Sequence, residues 1–183
     1  MSVPQTLPFD EAFVLARLAD KAGREPGQAD RYVLEPKLSA REVQGLEAQH
    51  GFEFPADYRL FLTTIGGGGA GPHHGLWSAQ SAAAAGVGQR FVPLSDEDDG
   101  GGYLLLSEYG CGNLSVLVVA GEERGHVFDF LDGLWVPWLP DEEFRAALAS
   151  WGNSPALLDE LNQHHALVQK RSFGEWYLDW LRC

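Results

Sequence analysis

The sequence predicts an α+β domain, with a central, mainly antiparallel sheet flanked by helices. Three observations predict it. Two helical patterns with explicit start signals follow residue 37. Four short apolar runs between Tyr103 and Trp138 are separated by connections of two to six residues. Connections that short join only antiparallel neighbours. An aromatic helical pattern then closes the chain, so helices and sheet are segregated along the sequence as in α+β domains.

Composition bounds the class. With 183 residues and 45% hydrophobic content, the chain suits one core, with residues 1–37 as an N-terminal helical extension and residues 38–183 as the main globular unit. No window approaches ~18 uninterrupted apolar residues, so no membrane span is expected. The first residues show no basic region followed by an apolar run, and a cytoplasmic location is expected. Two cysteines, Cys111 and Cys183, make no disulfide framework. The net charge of -13 argues against a nucleic-acid partner, which needs clustered Lys and Arg. The charge is uneven. Residues 1–95 hold ten acids and eight bases, whereas residues 96–183 hold sixteen acids and five bases. Acidity therefore belongs to the β-region and the C-terminal part. It reads as a solubilising surface or as a docking face for a basic partner.

The first helix is expected over Asp10–Ala22, with Phe9 and Phe13 one turn apart and Gly23 as a stop. Arg24–Pro36, with Pro26, Gly27, Asp30 and Pro36, reads as a loop. The second helix starts at an S-x-x-E capping box, Ser39 and Glu42, with Leu38 and Val43 at the staple positions. Val43 and Leu46 form its apolar face, and Gly51 is its left-handed stop. Pro55 opens the third helix. Tyr58, Phe61, Leu62 and Ile65 then follow at i, i+3, i+4 and i+7, one buried stripe ended by Gly66.

Gly66–Gly71 is glycine except for Ala70. A phosphate loop would need Gly-Lys-Ser/Thr followed by a helix; here Pro72, His73 and His74 follow. The run reads as a tight reversal needing positive φ. His74–Trp77 is expected as a short strand, residues 78–89 as a helical turn or loop, and Arg90–Leu94 as an edge strand ending near Pro93. Asp96–Asp99 and Gly100–Gly102 read as a solvated turn. The acids are contiguous rather than alternating, which does not meet the calcium-loop pattern. The strands expected next are Tyr103–Ser107, Leu114–Ala120, His126–Phe130 and Leu134–Trp138, the last two joined by Asp132-Gly133, a two-residue hairpin signal. Helices are expected from Asp141, with Phe144, Ala147, Leu148 and Trp151 on one face, and from Pro155, with Leu157, Leu158, Leu161 and Val168. Ser172 and Glu175 form a second capping box, and Phe173, Trp176, Tyr177, Trp180 and Leu181 give the terminal helix a core-facing aromatic side.

No catalytic, cofactor or metal-binding constellation emerges. His73-His74 and His164-His165 are adjacent pairs, and neighbouring side chains diverge, so each pair offers one ligand at most. No H-E-x-x-H or C-x-x-C occurs. Cys111 lies between Gly110 and Gly112, but Glu108, Tyr109 and Asn113 nearby do not activate a thiolate. It reads as a small residue in a hairpin. No G-x-S-x-G elbow is present.

The order of motifs resembles a known family. It comprises Leu46-Glu47, then Gly51, Phe52–Leu62 (F-x-F-P-A-D-Y-R-x-F-L) and Gly66–Gly71. Phe91–Leu94, Gly110–Gly112 before Leu117–Val119, Gly121–Phe128, and Phe173, Trp176-Tyr177 and Trp180-Leu181 follow. From about Leu38 to Leu181 the chain is similar to the SUKH superfamily, which includes fungal cell-wall-assembly regulators and many bacterial immunity proteins. The resemblance implies an α+β fold and a non-enzymatic role with no catalytic residue to carry over. It implies a protein partner, such as a basic polymorphic toxin domain with nuclease or deaminase activity. The alternative is an intracellular regulatory or scaffold protein of the same fold with an endogenous partner. Two features exceed the minimal domain: the N-terminal helix and the long helical insert Asp141–Lys170. For the binding face, the expected residues are Asp96, Glu97, Asp98 and Asp99 with the aromatics Trp77, Tyr103 and Trp135, since aromatics dominate interface hot spots.

Overall fold

The computed structural model describes residues 9–86, 102–131, 134–138 and 170–183. Helix α1 spans Glu11–Arg24, with Asp10 as its N-cap accepting from the Phe13 amide. A 3-10 segment follows at Pro26–Tyr32, where the sequence reads as a loop. Helix α2 spans Ala40–His50, and α3 spans Ala56–Thr64. The first capping box forms as expected: the Ser39 hydroxyl accepts from the Glu42 amide, and the Glu42 carboxylate accepts from the Ser39 amide. Gly51 ends α2 in the left-handed conformation, φ 76°.

The stripe of α3 is buried throughout: Tyr58, Phe61, Leu62 and Ile65 are each at most 4% exposed. Two buried carboxylates explain the polar letters around it. Glu47 accepts from the Phe54 amide (2.7 Å) and from the Arg59 guanidinium (2.6 Å), tying the α2–α3 turn to both helices. Asp57 accepts from its neighbouring Tyr58 amide and, at 2.8 Å, from the Gly174 amide, 117 residues away. A carboxylate thus sits where the N-termini of two helices meet, a favourable place for negative charge.

The glycine run meets the backbone on two sides. Gly69 bridges Leu34 on one side and Leu76 on the other. A Cβ on Gly69 would lie 2.4 Å from the Val33 carbonyl oxygen, and one on Gly68 would lie 2.8 Å from Ser78 Cα. Positive φ at Gly68 and Gly69 is part of the reason for glycine here; close approach of neighbouring backbone is the larger part. His74–Trp77 is not a sheet strand. It runs beside the sheet edge, where the His74 amide donates to the Glu108 carbonyl and the Trp77 amide to the Leu106 carbonyl. The positive φ of Gly75 and the tie of Leu76 back to Gly69 prevent a regular ladder. Residues 79–86 form helix α4. The strand expected at Arg90–Leu94 and the helices expected from Asp141 and Pro155 lie outside the described residues.

Strands β1 (Tyr103–Glu108), β2 (Leu114–Val118), β3 (Val127–Leu131) and β4 (Leu134–Pro137) form one antiparallel meander in the order β1-β2-β3-β4. Each ladder agrees with the expected strand to within a residue or two. Leu131 pairs with Leu134, as a two-residue connection requires. A bulge between Leu105 and Ser107 leaves Leu106 outside the β2 register, free to turn its carbonyl to Trp77.

The two faces of the sheet bury different sets. Leu104, Leu106, Leu117, Val119 and Val127 join the helices in the main core. Tyr103, Leu105, Val116, Val118 and Phe128 form a second cluster. Helix α5, Phe173–Arg182, completes the main core with Phe173, Trp176, Tyr177 and Leu181, all at most 1% exposed. Its capping box, Ser172 with Glu175, also forms. Val14 and Leu18 of α1 belong to this same core, and Phe9 packs edge-on against Phe61, Phe173 and Tyr177.

Candidate partner-binding surface

The three aromatics expected at a binding face come together on the second cluster. Tyr103 is 6% exposed and forms its floor. Burial raises its phenol pKa. Trp135 is half-buried, its ring 5.1 Å from Tyr103 and 4.8 Å from Phe130. Trp77, also half-buried, packs against both the main core and the second cluster. Of the three, Trp77 and Trp135 therefore reach solvent, and Tyr103 supports them. Asp96, Glu97, Asp98 and Asp99 lie outside the described residues.

Sequence reasoning passed over the two grooves beside α2. One, of about 330 Å³, runs between α2 and α3 along Val43, Ala56, Arg59 and Leu60. The other, of about 580 Å³, lies between α2, residues 35–38 and the start of α4 at Ala79, one residue beyond the Trp77–Ser78 step. The sequence signal for the second was Gly45 in the middle of a helix.

The β2–β3 turn carries a charge cluster centred on Glu123. Glu123 accepts from His126 Nδ1 (3.2 Å) and pairs with Lys170. The His126 hydrogen bond, then Lys170, hold the Glu123 pKa down to about 2 against the opposing effect of burial. Arg124 donates to the carbonyls of Glu53 and Phe54. This cluster fastens the turn to the segment entering α5, where the Val127 amide also bonds the Arg171 carbonyl.

The described histidines and Cys111 do not converge. His50 ends α2, His73 and His74 follow the glycine run, and His126 belongs to the Glu123 cluster. Cys111 is exposed at the β1–β2 tip, where Gly110, Cys111 and Gly112 all have positive φ. The buried hydroxyls of Ser107 and Ser115 bond the Pro72 carbonyl and the Asp129 carboxylate. Among the described residues, no three His, Cys, Asp or Glu side chains are placed to hold a metal ion. No helix among them is long and apolar enough to cross a membrane.

The family model described as SMI1 / KNR4 family (SUKH-1) matches residues 37–153, well over half of the chain. The chain belongs to this family. The match takes in α2, α3, the glycine run and the whole meander, the elements that carry the aromatics and both grooves. Helices α1 and α5, which close the core of this SUKH-1 protein, lie outside the matched span. No curated protein and no solved structure matches the chain.

Proposed function

We propose that this SUKH-1 protein is a non-enzymatic, cytoplasmic binding protein: an immunity protein that binds and neutralises a polymorphic toxin domain, such as a nuclease or deaminase. The observation that carries the reading is the family match over residues 37–153. The charge distribution supports it. Sixteen acids against five bases in residues 96–183 suit a basic partner, because opposite charge both steers encounter and opposes wrong partners. The proposed contact face takes in Asp96–Asp99 with Trp77 and Trp135, held from below by Tyr103. Half-buried tryptophans suit this role, since their rings add contact area at little entropic cost.

The test is co-expression with the toxin domain encoded beside this chain. Growth should be rescued, and the two purified proteins should form a stoichiometric complex. Absence of both rescue and complex would end the reading. A growth defect on deletion in a strain lacking any toxin would instead favour a regulatory protein with an endogenous partner.

A further inference from the structure

We propose that the groove between α2 and the start of α4 seats an extended, basic stretch of the protein partner; this rests on the partner-binding reading above. The groove is about 580 Å³, and Leu38 and Leu46 give it an apolar lining. Gly45 stands on its wall, in the interior of α2. A glycine in a helix interior weakens the helix relative to alanine. Here a Cβ would meet nothing within 4 Å, so no contact within the described fold calls for glycine. What the missing side chain does is leave α2 backbone open to close approach from outside.

The charges select the occupant. Glu35 and Glu42 both line the groove and are both exposed. Hydrogen bonds from Ser39 lower the Glu42 pKa and keep that carboxylate ionised. Lys37 lines the groove as well, but its ammonium is engaged by Glu11 at 2.6 Å. The groove therefore offers net negative charge to a Lys or Arg. The side-chain amides of Gln49 and Gln80 add hydrogen-bonding groups suited to a partner backbone.

The experiment uses the full chain and the inactivated toxin domain encoded beside it, titrated by calorimetry at low and high salt. Gly45→Trp fills the wall, and Glu35→Lys reverses one charge. Each should weaken Kd by at least about tenfold with the thermal midpoint retained, and wild-type affinity should fall as salt rises. If Gly45→Trp fails to fold, Glu35→Lys at its exposed position decides alone. Wild-type affinity in the variants would overturn the groove and leave the immunity reading standing. No binding by the wild type would overturn both.

Discussion

At the scale of single residues, two carboxylates do the joining. Asp57 is 8% exposed and accepts from the Gly174 amide at 2.8 Å. Asp57→Ala leaves that amide without its acceptor and should cost about 1–3 kcal/mol in urea unfolding. Asp57→Asn keeps an acceptor oxygen and should cost less. Glu123 carries a pH dependence. Its pKa is lowered from the ordinary 4.5 to about 2 in the folded chain. The unfolded chain therefore binds this proton first, and the stability Glu123 contributes is fully present above pH 4.5. It is lost as pH falls from there through about 2. Glu123→Gln should flatten that part of the acid-unfolding profile and lower stability at neutral pH. Neither pairing was legible in the sequence. Asp57 reads as a first-turn acid of α3, and nothing local shows that its oxygen faces a residue 117 positions on.

At the scale of elements, what was legible was what the chain writes locally. Both capping boxes, the α3 stripe, the Gly51 stop and the meander follow from spacings of three, four or two residues. The misreadings arose where distant segments decide. His74–Trp77 has strand-like letters, but Leu76 is drawn to Gly69 while its neighbours bond β1. The glycine run announces a turn, whereas its second requirement, contact with residues 33–36 and 78, is invisible in spacing. That requirement is testable. Gly69→Ala places a methyl 2.4 Å from the Val33 oxygen at φ 89°, and should destabilise by about 2 kcal/mol or more in thermal unfolding. Gly45→Ala, with open space at its Cβ, should do the opposite and stabilise by up to about 1 kcal/mol.

At the scale of the whole molecule, the core draws on α1, α3, α5 and one face of the sheet together. Val14 is fully buried, Leu18 is 4% exposed, and Arg17 donates to the last carbonyls of α5, those of Leu181 and Arg182. Removing residues 1–25 should therefore expose Phe61, Phe173 and Tyr177. A lower thermal midpoint and new binding of a hydrophobic dye would show it; an unchanged midpoint would refute it. The aromatics of the proposed binding face, Trp77, Tyr103 and Trp135, were legible by residue type alone; that Tyr103 and Trp135 share one side of the sheet follows from the ladder register across β1–β4, which no single strand announces. The grooves were not legible, since a groove belongs to the space between elements rather than to any one of them.

The hydrogen bond between Gly174 and Asp57 has a kinetic consequence. The meander is built from neighbours in sequence and can form early, whereas this bond closes a loop of 117 residues and must await the rest. The Gly174 amide is thus a reporter of tertiary closure. In hydrogen exchange it should become protected only when α5 docks, after the amides of β2 and β3.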